Sequence, residues 1–252
     1  AIAVADAHEL IGRVDAVSIA TPADRHGAVA IPLLEAGVAC LVEKPLAENL
    51  RAAEAIVAAA SRGRALLAVG HSERFQPPVL WCLRRGIEPR AAAFERSTPS
   101  GPRGREVGVV HDLMVHDIDL ALALFAAAPV AAELRSPSPP GADRVHARLH
   151  FPGGRYADLL ADRASSTPRR AIELEAESGR IEIDLVRATL RRLTADGLEQ
   201  TVTFEGEPRP LQAELADFAL ACLDGLAPRV PGSAGLEAVR WADRLEALRG
   251  GR

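Results

Sequence analysis

One lysine stands among the 30 basic residues of this chain, Lys44, and every other one is arginine. A lysine can release its proton and an arginine cannot, so a lone lysine is either chance or the mark of chemistry that a guanidinium is unable to do. It lies in Glu43-Lys44-Pro45, where the proline cannot extend a ladder and holds Lys44 extended. The plain alternative is an exposed ion pair of little worth. A second constellation is His111-Asp112-Leu-Met-Val-His116-Asp117-Ile-Asp119. Asp112 and His116 are four residues apart and share a helix face; His111 and His116 do not. A carboxylate that orients an imidazole suits general-base work. The alternative is a helix N-terminus whose acids answer the macrodipole. The third is Thr21-Pro22 with His26 four residues beyond the proline, read either as a ligand loop or as a turn.

Elements with a clear periodicity must position these groups. Residues 15–20 read as a buried parallel strand ending at Thr21-Pro22, and 24–36 as a helix stopped by Gly37. Residues 38–42 form a second strand, 49–61 a helix closed by Gly63, and 65–70 a third strand. Residues 1–5 read as the remnant of an earlier strand, and 9–12 as the end of a short helix. Strand and helix alternate at βαβ spacing, which predicts a parallel sheet. Thr21 and Lys44 then fall at strand carboxyl ends, where open α/β sheets bind ligands.

The pattern changes between 70 and 78. Short helix 77–85, strand 90–98, a loop rich in Gly, Pro and Arg over 97–108, and an apolar helix 112–127 follow. From 143 the period is two: Val145, Ala147, Leu149 and Phe151 face one way, and Arg144, His146, Arg148 and His150 the other. Pro152-Gly153-Gly154, Ser178-Gly179 and Asp196-Gly197 punctuate an antiparallel meander, and helices 211–223 and 233–248 close the chain.

Composition narrows the function classes. The chain has 252 residues, 48% hydrophobic and 25% charged, an ordinary globular balance. A net charge of −4 argues against an electrostatic grip on nucleic acid. The apolar stretch 120–132 is broken by Pro129 and falls short of the ~20 residues of a membrane span. Cys40, Cys82 and Cys222 are scattered, which predicts a reducing, cytoplasmic setting.

Taken in order, Asp15-Ala-Val-Ser-Ile-Ala-Thr-Pro22, His26, Glu43-Lys44-Pro45, Val69-Gly-His-Ser-Glu-Arg-Phe-Gln-Pro77 and Asp112-Leu-Met-Val-His116-Asp117 resemble the Gfo/Idh/MocA family of NAD(P)-dependent sugar and inositol oxidoreductases. The resemblance covers essentially the whole chain. It implies an α/β fold: a partial Rossmann domain with a parallel sheet over 1–74, then an α+β domain with an open, mainly antiparallel sheet over 75–252. The final helices are expected to pack back on the first domain. It implies NAD or NADP as cofactor, held by Thr21, Pro22, His26, Glu43 and Lys44. Ala23 stands where the family usually has Asn, which removes one cofactor contact, and Gln76 where Asn is more usual. Lys44, Asp112 and His116 are implied as the catalytic set: His116 as general base, Asp112 orienting it, Lys44 stabilising charge on the substrate oxygen, with the roles of Lys44 and His116 interchangeable.

Arg74 matches the family's arginine after the third strand, and Arg103 and Arg105 precede Asp112. Three arginines near one pocket favour an anionic ligand. The branch resembled is the one that includes UDP-N-acetylglucosamine 3-dehydrogenases, which implies a nucleotide-sugar substrate. A homo-oligomer built through the open sheet is expected, with no nucleic-acid or membrane partner and no metal. The largest departure is the lack of a Gly-x-Gly-x-x-Gly turn, whose glycines let the backbone approach the pyrophosphate. Two βα units, on the order of 60 residues, are therefore expected to precede Ala1. The 252-residue chain is expected to bind NAD(P) weakly and to be inactive by itself. Two other classes stay open: a non-catalytic pseudoenzyme or interaction module, and a metal-dependent phosphohydrolase, whose His and Asp spacing the Asp112–His116 cluster superficially resembles.

Overall fold

The computed structural model describes residues 3–99 and 107–250. The chain divides into two compact units, Ala1–Ser72 with Leu211–Arg240, and Glu73–Pro210 with Trp241–Arg252.

In the first unit, strands β1 (Ala16–Ile19), β2 (Ala39–Glu43) and β3 (Leu67–Gly70) form a parallel sheet in the order β1-β2-β3. Helices α1 (His26–Glu35) and α2 (Leu50–Gly63) are the crossovers. Strand β2 is buried through Val42, as its unbroken apolar run requires. Strand β1 departs from the expected burial: it is an edge, and Ala16 and Ser18 are exposed. Residues 3–5 are not a strand, and Asp6 caps a single 3₁₀ turn, Ala7–Leu10.

Asn49 caps α2 by accepting the Ala52 N–H at 2.9 Å. Gly63 is not the left-handed stop; that role falls to Arg64 at φ 51°. The glycine is needed because a Cβ there would lie 1.8 Å from the Leu34 carbonyl oxygen, where α1 and α2 meet. From the chain's end, α5 (Pro210–Asp224) packs Phe218 against Ala39, Leu41 and Ala68 of the sheet.

In the second unit, α3 (Pro77–Arg84) leads to β4 (Pro89–Ser97). Helix α4 (Val115–Phe125) is preceded by a π-helical turn over Val110–Met114 rather than running unbroken from 112. Strand β5 (Ala131–Leu134) was not apparent in the sequence, because its Ala-Ala-Glu-Leu run is short, carries no β-branched residue and continues directly from the apolar stretch 120–132. Strands β6 (Arg144–His150), β7 (Tyr156–Asp162), β8 (Arg169–Ala176), β9 (Gly179–Asp184), β10 (Thr189–Thr194) and β11 (Glu199–Val202) follow.

They build an eight-stranded sheet in the order β11-β10-β9-β8-β4-β7-β6-β5. Every pairing is antiparallel except β4 with β7, which is parallel. Val145, Ala147 and Leu149 of β6 are fully buried, so the period-two reading of that strand holds. Helix α4 lies across β4 and β7 on this inner face, and Phe125 stacks on Phe151 with ring centroids 4.1 Å apart. The last helix, α6 (Gly232–Arg249), contributes residues to both units.

Candidate functional site

Parallel pairing sets Ile19 beside Val42 and Glu43 beside Gly70, so the chain leaves all three strands of the first unit at one edge. Thr21 and Pro22 are exposed there, and Glu43 and Lys44 are half-buried. The Lys44–Pro45 peptide bond is cis. The Glu43 carboxylate lies over Gly70, where a Cβ would come within 3.1 Å of Oε2, and the same oxygen accepts the Lys44 N–H at 3.3 Å.

His26 is buried, 1% exposed. Its Nε2 lies 2.8 Å from the Thr21 carbonyl oxygen, and its Nδ1 3.1 and 3.2 Å from those of Pro45 and Leu46. The ring thus straps the loop after β1 to the loop after β2. It holds the loops through the carbonyl oxygens of Thr21, Pro45 and Leu46, and neither ring nitrogen points outward to a ligand. The exposed Thr21-Pro22 step and the half-buried Lys44 thus lie at strand carboxyl ends, the edge at which open α/β sheets bind ligands.

Beside this edge lies Glu214 of α5, 2% exposed, with both carboxylate oxygens lacking a hydrogen-bond partner among the described residues. Burial, reinforced by the charges of Glu43 and Asp217, pushes its carboxyl up to about 7.

In the second unit Asp112 and His116 open α4, Asp112 within the π-helical turn and His116 one residue into the helix, both half-buried. The Asp112 carboxylate meets Arg163 Nη1 at 3.4 Å. His111 Nε2 pairs with Asp243 of α6 at 2.7 Å.

A charge network fixes α4 in place. Arg96 of β4, 3% exposed, donates to both oxygens of Asp117 at 2.9–3.2 Å and to Glu73 at 2.9 Å. Burial opposes the charge on Arg96, but the two carboxylates offset it and raise its pKa above the ordinary arginine value. Arg74 forms a bidentate pair with Asp119, Nε and Nη2 each at 2.7 Å. The fork that a substrate phosphate would need is therefore engaged by α4, and Arg74 acts as an anchor of that helix. Arg103 and Arg105 lie outside the described residues.

Sequence reasoning missed Glu73, Arg96 and Arg163. Arg96 carried a signal, since strand alternation places it on the inward side with Phe94, where an arginine demands carboxylate partners. Arg163 carried none, because it follows the last residue of β7 and its partners are remote in sequence.

Comparison with known proteins agrees with this architecture. Residues 1–71 match the family described as oxidoreductase family, NAD-binding Rossmann fold, and residues 50–182 match the Gfo/Idh/MocA C-terminal domain. UDP-N-acetylglucosamine 3-dehydrogenase of Acidithiobacillus ferrooxidans is 35% identical over 186 residues, 72% of this chain and 59% of that protein. Inositol 2-dehydrogenase of Rhizobium meliloti is 34% identical over 139 residues, 50% of this chain and 41% of that protein. Each match spans less than two thirds of the relative's length. A solved structure of the Acidithiobacillus enzyme superposes with a TM-score of 0.91 at 31% identity, covering 98% of this chain and 82% of that one. A three-stranded parallel sheet, a mixed eight-stranded sheet and both domain matches converge: the chain belongs to the Gfo/Idh/MocA family of oxidoreductases, with an NAD-binding Rossmann unit.

Proposed function

We propose that the protein is an NAD(P)-dependent dehydrogenase that oxidises a secondary ring hydroxyl of a nucleotide sugar. The observation that carries this is the placement of a carboxylate, Asp112, and an imidazole, His116, four residues apart at the head of α4, in a family whose other unit binds NAD. Its support for a nucleotide sugar is the 35% identity to UDP-N-acetylglucosamine 3-dehydrogenase. A bound nicotinamide supplies the hydride acceptor. His116 takes the hydroxyl proton on a ring nitrogen, and Asp112 orients that ring. Lys44 donates a hydrogen bond to the same oxygen and stabilises the negative charge that builds there. Thr21, Pro22 and the Glu43 backbone line the cofactor side, with His26 holding their loops. Arg103 and Arg105 are assigned to the anionic part of the substrate.

The copies are proposed to associate through the outer face of the eight-stranded sheet. That face carries alternating charges in rows, Arg180 with Glu173 and Arg191 with Glu182, each pair at 2.6 Å.

A substrate panel on the full-length protein tests the reading, with reduction of NAD and NADP followed optically. UDP-N-acetylglucosamine or a close UDP-sugar is expected to turn over. Turnover of free inositol or glucose without UDP-sugars would overturn the substrate assignment. Stoichiometric tightly bound metal with no nicotinamide reduction would point instead to hydrolysis.

A further inference from the structure

We infer that Arg163 is a positioning residue of the candidate catalytic carboxylate, Asp112; this rests on the reaction proposed above. Arg163 is the first residue beyond β7, and its side chain is 12% exposed. Its guanidinium reaches three places at once. Nη1 donates to the Val107 carbonyl oxygen at 2.8 Å and meets Asp112 Oδ2 at 3.4 Å. Nη2 and Nε meet Asp143 Oδ1 at 3.1 and 3.2 Å. Its own backbone N–H donates to the Asp143 carbonyl oxygen at 2.8 Å. One cation thus serves two carboxylates and a carbonyl, and it joins three separate segments: the chain entering the π-helical turn, the turn itself, and the start of β6.

The π-helical turn explains why such a clamp is needed. Asp112 N–H donates to the Gly108 carbonyl oxygen at 3.0 Å, and the Val115 N–H reaches the Val110 carbonyl across the widened turn. An α-helix fixes the direction of each side chain by its regular ladder, whereas a π-turn interrupts that ladder and is frequent at functional sites. The orientation of the Asp112 carboxylate is then set by its partners, and Arg163 reaches it from a rigid strand end. A lysine could not replace it: a single ammonium cannot hold a carbonyl and two carboxylates in the fixed directions that a planar fork provides.

A residue that acts through Asp112 has a kinetic signature that a merely structural residue lacks. The full-length protein is compared with Arg163→Ala, Arg163→Lys, Asp112→Asn and the Arg163→Ala/Asp112→Asn double variant. Both kcat and KM are measured for the turned-over UDP-sugar. Arg163→Ala is expected to lower kcat on the order of 100-fold with KM little changed, the scale of a misplaced catalytic group. The double variant is expected to be no slower than Asp112→Asn, because residues acting as one unit are not additive. Arg163→Lys keeps the charge and the stem, folds where alanine fails to, and is expected to show an intermediate kcat. Wild-type kcat in Arg163→Lys and Arg163→Ala beside an inactive Asp112→Asn overturns the inference and leaves the proposed reaction standing. Additive losses in the double variant overturn it likewise. Wild-type kcat in Asp112→Asn overturns the role given to Asp112 in the reaction, and the inference with it.

Discussion

At the scale of single residues, the proposed reaction makes Lys44 the position where side-chain chemistry is least replaceable. It follows directly from the buried strand β2, and its own N–H is held by the Glu43 carboxylate. Lys44→Arg keeps the charge but replaces a compact, titratable donor with a bulkier fork that stays protonated. We expect turnover in the full-length protein to fall about 100-fold or more, the usual worth of positioned proton-transfer chemistry, with the melting temperature unchanged. Near-normal kcat would make the lone lysine an accident of composition. His26 shows the converse. Its spacing from Thr21-Pro22 was visible in the sequence, but the structure directs its ring to three carbonyl oxygens, so its contribution is to hold loops together.

At the scale of elements, helix α5 brings a buried acid against the strand edge that carries Glu43. Glu214 ionises near 4.5 in an unfolded chain and near 7 in the folded one. The folded state therefore favours the protonated form. Its stabilising effect is complete below about pH 4.5 and is lost as pH rises to about 7, a change of up to about 3 kcal/mol at 1.36 kcal/mol per unit. Glu214→Gln keeps the shape without the titration. Denaturant unfolding of both proteins from pH 4.5 to 8 is expected to show the stability of the wild type falling relative to the variant up to pH 7, then running parallel. Parallel curves throughout would show that Glu214 stays ionised. Helix α4 shows the same dependence on remote partners: its apolar face was legible, but its seat is set by Arg96 and Arg74, brought from β4 and from the turn after β3.

At the scale of the whole molecule, the outer face of the large sheet presents charge rather than an apolar surface. Arg148 pairs with Asp158 at 2.6 Å and lies over the Tyr156 ring at 3.9 Å. Rows of paired charges are self-complementary under a two-fold axis, which brings the same patch together from both copies. Sedimentation of the full-length protein is expected to show an oligomer that Arg191→Glu shifts toward monomer, since the substitution sets a new acid against Glu182 and Glu199. An unchanged oligomer would place the contact elsewhere.

The sequence by itself determined the local geometry and the candidate chemistry. Apolar runs of β2 and β3, the alternation of β6 and the turns at Gly153 and Gly179 were readable because period and turn chemistry are properties of neighbouring residues. Lys44, Asp112 and His116 stood out as candidates by type and spacing. Tertiary structure alone decided the rest. The parallel β4–β7 pairing joins strands some sixty residues apart, with Ala91 beside Tyr156, and no local pattern encodes it. Arg163 finds Asp112 across 51 positions, and Arg74 finds Asp119 across 45. The π-helical turn and the burial of Glu214 likewise follow from what packs against what. A charge is visible in sequence, but its partner is chosen only when folding removes it from water and the cost of leaving it unpaired becomes large.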